Sequence, residues 1–307
     1  MAQGEWQATT EFIDAALEIL KQENPMTIRQ LFYRLVSIEH IRNTQRDYQR
    51  VSRLMTKARR DGRCSYEWIV DRSRPTYEPN VWRDPAGYAS CVKRGYRKDY
   101  WAMQPNYLEI WSEKDSVVGS IQDLTDELGV IVRVGRGFQS ATRVNDVAEH
   151  LNSIDKPKTV LYLGDWDPSG EDIQRAAYVR IEERVEQLAE DGDYGFGIER
   201  IAIHKEDIAK FKLAPLRIRA KEDGSYADSR AKKFIRRHGE NCVELDALPP
   251  TELRHRIREA VEKNLDLPLW NRAIEIDSGN TLHRGHGQCV AGAVVAHRTT
   301  CWPSATP

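Results

Sequence analysis

Asp165 and Asp167 stand one residue apart in Gly164-Asp165-Trp166-Asp167-Pro168-Ser169-Gly170, directly after an apolar run over 159–163. The run reads as a buried strand, and Pro168 as the start of a helix. Side chains alternate along an extended backbone, so both carboxylates would leave the strand end on one side. Like charges held that close repel each other, and a divalent cation is the usual reason to keep them there. Asp before Pro is also an ordinary helix start, which would explain Asp167 as an N-cap and leave Asp165 without a role. The spacing from Asp165 imitates a calcium-binding EF-hand loop, but the twelfth position, where a bidentate Glu belongs, is Ala176. A strand rather than a helix precedes it, so that reading is rejected.

A second acid follows another strand-like run, in Ile110-Trp111-Ser112-Glu113-Lys114-Asp115. Glu113 could be a first-turn helix acid favoured by the macrodipole. Together with Asp165 and Asp167 it would make three hard oxygen ligands, a set that fits Mg²⁺. A third candidate lies near the N-terminus. In a helix over 27–37 the apolar stripe is Ile28, Leu31, Phe32, Leu35 and Val36, and Tyr33 falls roughly 130° from its centre, with Arg29 one turn earlier on the same flank. An exposed Tyr–Arg pair can be a surface contact only. It can also be a phenolic nucleophile whose phenolate, or target phosphate, meets a guanidinium. Tyr48 lines up with Val51, Met55 and Ala58 and reads as core.

The elements that must hold these groups follow from periodicity. Helices are expected over 9–22, 27–37 and 44–60, the last with arginines outward, and then an alternating strand over 65–71. That outline matches a winged helix-turn-helix domain over 1–76. A connector over 77–105 carries one helix over 86–103. Strands over 107–111, 130–134, 159–163 and 197–203 then alternate with helices over 115–128, 142–151 and 169–188. This pattern predicts an α/β, doubly wound parallel sheet with ligands at the carboxyl ends of its strands, in a domain spanning 106–270.

Charge separates the two parts. Residues 26–75 carry twelve Lys or Arg against five Asp or Glu, a surplus of seven, so a total of −1 leaves the rest at −8. A basic module on an acidic body suggests a polyanion, with Arg46, Arg50, Arg53, Lys57 and Arg60 as candidate DNA contacts. At 40% hydrophobic and 30% charged residues the chain reads as globular rather than disordered or membranous. No membrane span or signal peptide is read, and cytoplasm is the expected location. Five scattered cysteines with no C-x-x-C pair argue against a disulfide framework. The segment 271–307 reads as a divergent tail; His283, His286, Cys289, His297 and Cys301 within it match no strong zinc spacing.

Glu113, the Gly135-Arg136-Gly137 segment and Asp165-Trp166-Asp167-Pro168-Ser169-Gly170 resemble the Toprim domain of topoisomerases and primases. More narrowly, with Arg29-Gln30-Leu31-Phe32-Tyr33 and Val243-Glu244-Leu245-Asp246-Ala247-Leu248, the chain is similar to the topoisomerase VI A subunit and its meiotic double-strand-break relative. It looks most like a compact, stand-alone bacterial or phage-type form of that family. Gln30 replaces the usual acid of the tyrosine motif and Phe32 its first tyrosine. The resemblance implies Mg²⁺-dependent cleavage of double-stranded DNA, with Tyr33 forming a 5′-phosphotyrosyl bond, Arg29 assisting, and Glu113, Asp165 and Asp167 holding the metal. It also implies a homodimer in which tyrosine and metal site come from different protomers. No phosphate-binding loop of an ATPase is read, so strand passage would call for a separate ATPase subunit or an ATP-independent mechanism. A Toprim nuclease that uses water and a non-catalytic DNA-binding component are the alternatives.

Overall fold

The computed structural model describes residues 3–71, 79–135, 140–189 and 195–279. Arg136 and Gly137 of the glycine-rich segment, and the His and Cys residues of the tail, lie outside them. In chain order the helices are α1 (Gln3–Glu23), α2 (Ile28–Ser37), α3 (Gln45–Arg60), α4 (Pro85–Gly95), α5 (Asp115–Leu128), α6 (Ala141–Asn152), α7 (Pro168–Leu188), α8 (Asp207–Lys210), α9 (Ala231–His238), α10 (Pro250–Lys263) and α11 (Leu267–Gly279). The strands are β1 (Tyr107–Ser112), β2 (Ile131–Val134), β3 (Lys158–Leu163), β4 (Phe196–Ala202), β5 (Leu216–Arg217) and β6 (Asn241–Cys242). Two compact units result: Met1–Arg74 with Tyr107–Asn264, and Pro75–Asn106 with Leu265–Pro307.

The first unit is built on a four-stranded parallel sheet of order β2-β1-β3-β4, so the expected α/β alternation is present. β1 and β3 are buried along nearly their whole length, as strands covered on both faces must be. Trp111, Val160, Tyr162 and Phe196 meet Val147, Leu151, Ile181 and Val185 from α6 and α7 in one core. α5 packs against β1, β2 and α10. From β1 the chain moves outward to β2, and from β3 it moves the other way to β4. The ends of β1 and β3 therefore flank a topological switch point, where open α/β sheets leave a crevice.

One charged residue is inside this sheet. Glu109 of β1 is fully buried and accepts from Arg133 Nε on both oxygens at 2.9 Å, from the Tyr107 hydroxyl at 2.8 Å, and from Trp111 Nε1. The network satisfies the carboxylate that a core position would otherwise strand.

α1, α2 and α3 pack together at the N-terminus. Thr27 starts α2 with a capping box: its hydroxyl accepts from Gln30 N–H, and its own N–H donates to the Gln30 side chain. The opposite side of α2 is covered by a 3₁₀ turn at Leu245–Ala247. Arg254 of α10 fastens the turn before α2, donating to the carbonyls of Glu23, Pro25 and Ser120 at 3.0, 3.2 and 3.0 Å.

The strand expected over 65–71 is not formed. Tyr66–Trp68 is a 3₁₀ turn capped by Ser65, followed by a single parallel bridge between Met26 and Ile69. Arg59 draws the segment back onto α3, donating to the carbonyls of Tyr66 at 2.7 Å and Ile69 at 3.1 Å and lying over the Tyr66 ring. No neighbouring strand among the described residues completes a wing there.

In the second unit the helix expected over 86–103 stops at Gly95. Asp99 then accepts from Trp101 N–H and Ala102 N–H and starts a separate 3₁₀ turn, Trp101–Met103. Trp270 of α11 is buried edge-on against Tyr100 and Trp101. Among the described residues no helix is long and apolar enough to cross a membrane.

Breaking a buried ion pair from one side leaves an uncompensated charge. Arg133→Met is accordingly expected to lower the unfolding free energy by about 3 kcal/mol, read from urea melts. A change below about 1 kcal/mol would show that the pair contributes little.

Candidate functional site

The acid-bearing turns meet where the sheet order puts them. Glu113 N–H donates to the Leu163 carbonyl at 2.8 Å, which ties the end of β1 to the end of β3. Gly164 continues the pairing toward β4, donating to Ala202 and accepting from Ile203. Two glycines make room for the Glu113 carboxylate. A Cβ on Gly164 would overlap the Tyr162 ring and lie 3.0 Å from Glu113 Oε2; one on Gly170 would overlap the Asp165 carbonyl and lie 3.2 Å from the same oxygen. Trp166 pairs with Val243 through two backbone hydrogen bonds of 2.8 and 2.9 Å, so the chain beyond β6 returns to the acid turn.

Each acid has a defined set of donors. Glu113 Oε2 accepts from Asp165 N–H at 3.0 Å. Asp165 Oδ1 accepts from Leu245 N–H at 2.7 Å and sits 3.1 Å from Lys114 Nζ. Asp167 is the N-cap of α7, its Oδ1 accepting from Gly170 N–H at 2.6 Å and the Ser169 hydroxyl at 2.8 Å. Among the described residues no donor reaches Glu113 Oε1, Asp165 Oδ2 or Asp167 Oδ2. Burial, with Asp165 and Asp167 nearby, pushes the Glu113 carboxyl up to about 7. Burial also raises Asp165 to about 6, although Lys114 and the Leu245 N–H act in the opposite direction.

Lys114 joins this turn to two further acids. Its ammonium lies 2.9 Å from Glu244 Oε2 and 3.1 Å from Asp246 Oδ2 as well as beside Asp165. Burial opposes its charge, yet Asp246, Asp165 and Glu244 together hold its pKa above the usual lysine value. The other oxygen of Glu244 takes Arg29 Nη2 at 2.6 Å. Burial works against the Glu244 charge, but Lys114 and Arg29 keep its carboxyl below the ordinary range. Arg29, Glu244, Lys114 and Asp165 thus form one continuous chain of ion pairs.

Tyr33 stands beside this chain. It was expected on an exposed flank of α2, but it is only 4% exposed. The flank opposite the apolar stripe is not solvent: the 244–247 segment covers it, and Gln30 on the same helix is also buried, its amide donating to Ser120 Oγ. Burial raises the Tyr33 phenol to about 12; Glu244 adds to the shift, and Arg29 and Lys114 oppose it. Tyr48, expected in the core, is half-buried edge-on to Phe32 at 5.5 Å.

Arg200 of β4 lies beneath the turn. Its guanidinium donates to the carbonyls of Gly164, Asp165, Ile203 and Gly170 at 3.0 to 3.3 Å and so fixes the backbone carrying both aspartates. The bridging role of Glu244 and Lys114, and the supporting role of Arg200, have no local pattern in the sequence. They depend on contacts between residues up to 215 positions apart.

Fully ionised, Glu113, Asp165, Asp167, Glu244 and Asp246 exceed Arg29, Lys114 and Arg200 by two charges, an excess that the raised pKa values of Glu113 and Asp165 reduce near neutral pH. Hard oxygen donors with an excess of negative charge suit a divalent cation such as Mg²⁺. The placement is a separate matter: among the described residues no three His, Cys, Asp or Glu side chains are arranged to hold a metal ion as they stand.

The candidate DNA contacts occupy a different surface. Arg46, Arg50, Arg53, Lys57 and Arg60 fall at helical spacing along one side of α3, away from its buried Val51, Leu54, Met55 and Ala58. Arg46, Arg53, Lys57 and Arg60 are exposed and have no acidic partner among the described residues, while Arg50 lies over the Phe12 ring at 4.7 Å. Compared with known proteins, the chain matches no family profile, no curated protein and no solved structure.

A carboxyl whose pKa is raised by folding stabilises the fold below its unfolded pKa of about 4, and that contribution is lost as pH rises through the folded value. In metal-free buffer Glu113→Gln is therefore expected to gain on the wild type, by on the order of 1–2 kcal/mol at pH 8 and by little at pH 4.5. Thermal melts at the two pH values check it, and an equal difference at both would contradict the assignment.

Proposed function

We propose that the chain is a Mg²⁺-dependent DNA transesterase, in which Tyr33 is the nucleophile, Arg29 its partner, and Glu113, Asp165 and Asp167 the metal ligands. The observation that supports this most strongly is the position of Glu244, whose two oxygens take Arg29 and Lys114. The helix bearing the phenol and the turn bearing the acids thereby meet on a single carboxylate. The reading treats 1–76 as a winged-helix module and 106–270 as a Toprim domain. Its support is the three-helix N-terminus and the acids at the sheet's switch point.

In this reaction the Tyr33 oxygen attacks a DNA phosphorus, a tyrosyl–phosphorus bond forms, and the bond from phosphorus to the 3′-oxygen breaks. The phenol proton ends on that 3′-oxygen, leaving a 5′-phosphotyrosyl end and a 3′-hydroxyl. The ester bond is exchanged rather than hydrolysed, so the reverse step can rejoin the strand. Bound Mg²⁺ would supply charge stabilisation at the phosphoryl and leaving oxygens. Arg29 already opposes the rise in the Tyr33 pKa, and once parted from Glu244 its fork is available to a phosphate. Exposure of Tyr33 requires α2 to separate from the 244–247 segment. The α3 stripe gives the duplex a sequence-independent hold. A second protomer, whose acids would receive the tyrosine of the first, and a separate ATPase subunit for strand passage complete the proposal.

The burial of Tyr33 favours a second reading, a Toprim nuclease that uses water at the same acids. One assay separates the two. Supercoiled DNA is incubated with the protein and Mg²⁺, quenched with denaturant, and its 5′ ends are tested for bound protein. The transesterase is expected to give a covalent adduct, reduced at least about 100-fold by Tyr33→Phe and by Asp165→Asn. Free 5′-phosphates, unaffected by Tyr33→Phe, would replace it with the water-using nuclease.

A further inference from the structure

Beside the acid turn, a cleft of about 600 Å³ opens between the first turns of α7 and the side of α9, with Pro168, the residue after Asp167, at its edge. Four cations line it: Arg175 from α7, Arg230 at the start of α9, and Lys233 and Arg237 from α9 itself. The guanidinium-bearing side chains are 40 to 64% exposed, so their heads reach solvent. Two acids share the wall, and a third, Asp228, takes Arg230 Nε and Nη2 at 2.9 Å each. Asp172 takes Arg175 at 2.7 Å and Arg230 at 3.5 Å, and Glu171 takes Arg237 at 3.3 Å with His238 at 3.6 Å. Lys233 is exposed and has no acidic partner among the described residues. Four cations against Glu171, Asp172 and Asp228 leave the cleft a surplus of one positive charge, carried by Lys233, and the acids hold the three guanidinium groups in place.

The cleft is fixed to the acid turn. Phe234 of α9 is buried against Trp166, the residue between Asp165 and Asp167, with ring centroids 5.7 Å apart, and His238 meets the same indole edge-on at 4.8 Å. A shift of α9 would therefore carry Trp166 with it. The opposite wall offers Tyr178, whose half-buried ring packs on Phe196 and whose hydroxyl is held by Glu182. Arginine forks that bind phosphate oxygens in pairs, a mobile lysine and an aromatic face are the parts of a groove that tracks a nucleic-acid backbone.

We infer that this cleft is a phosphodiester-binding subsite, holding the DNA backbone next to the position the acid turn acts on, through Arg175, Arg230, Lys233 and Arg237. The inference rests on the nucleic-acid reading above. The contacts are to phosphate, so the subsite adds affinity without sequence preference and makes binding salt-dependent. Phosphate could also come from a free nucleotide, and the test includes that arm.

The full chain is titrated into a fluorescent DNA duplex in EDTA, which prevents cleavage, at several salt concentrations. Lys233→Glu with Arg237→Glu is compared with wild type and with Arg53→Glu/Lys57→Glu on α3; Arg175→Gln provides a milder change, and melting curves confirm that each variant is folded. The cleft variants are expected to weaken duplex binding by roughly 10-fold or more for the double change and to reduce the salt slope by about 2. The α3 variant is expected to weaken it independently. Wild-type affinity and slope in both cleft variants, with the α3 variant impaired, would overturn the subsite and leave the nucleic-acid reading standing. Absence of duplex binding by the wild type would overturn both. Titration with a nucleoside triphosphate is expected to show no saturable binding; tight binding of it, lost in the cleft variants while duplex binding persists, would make the cleft a nucleotide pocket instead.

Discussion

A single ammonium group holds the candidate site together. Lys114 Nζ lies near 3 Å from three carboxylates, two of them on the segment that follows β6. At an effective dielectric of about 20, each such contact is worth about 5 kcal/mol of Coulomb attraction, against a desolvation penalty of several kcal/mol per buried ion. Three contacts offset that penalty where one would not, which is why the lysine stays charged although it is buried. The same arithmetic applies from the acids' side. Without Lys114, Asp165, Glu244 and Asp246 would stand together in a partly dry crevice with only Arg29 and Arg200 near them. The crevice itself is a consequence of topology, because the β2-β1-β3-β4 order leaves the ends of β1 and β3 side by side with their connections departing in opposite directions.

The parallel sheet and its helices were legible in the sequence because each carries a strong period. The 107–112 and 158–163 runs are largely apolar, with Glu109 and Lys158 as exceptions, and α5 and α7 begin and end near their expected limits. Asp167 as the cap of α7 was also readable, since Asp-Pro is a local signal. The misses share one cause. Helical periodicity identifies a buried stripe but does not count neighbours, and α2 has neighbours on two sides. Tyr33 and Gln30 lie off the stripe and are buried all the same, because a turn more than 200 residues later packs against α2 and Gln30 meets Ser120 of α5. The 65–71 segment failed for a related reason. Its alternation suits a strand, but a strand needs a partner along its length, and among the described residues only Met26 supplies one pairing while Arg59 binds the carbonyls instead.

That the three acids share one edge of the sheet was legible in the sequence; how each is held there was not. Glu113, Asp165 and Asp167 do come to one edge of the sheet, and burial and mutual repulsion raise the first two toward neutrality. What the sequence could not express is how much of their charge the protein satisfies by itself. Asp165 is shared between a backbone N–H and Lys114, and Asp167 is occupied in capping a helix. A carboxylate has two oxygens, so capping and metal ligation are compatible for Asp167. For Asp165 the competition is direct, because an ammonium and a divalent cation seek the same charge.

That competition connects the acids to Tyr33. Glu244 divides its two oxygens between Lys114 and Arg29, and Arg29 stands on the helix that carries the phenol. Under the metal-site reading, a cation that draws Asp165 away from Lys114 leaves the ammonium more dependent on Glu244 and Asp246. The acceptor strength that Glu244 offers Arg29 falls accordingly, and with it the hold of the 244–247 segment on α2. Linkage makes the effect reciprocal: freeing α2 must favour the cation by the same free energy with which the cation favours freeing α2. On that reading the buried tyrosine and the paired acids are two aspects of a single arrangement. One carboxylate shared between two cations is enough to couple them, with no contact between Tyr33 and the acids required.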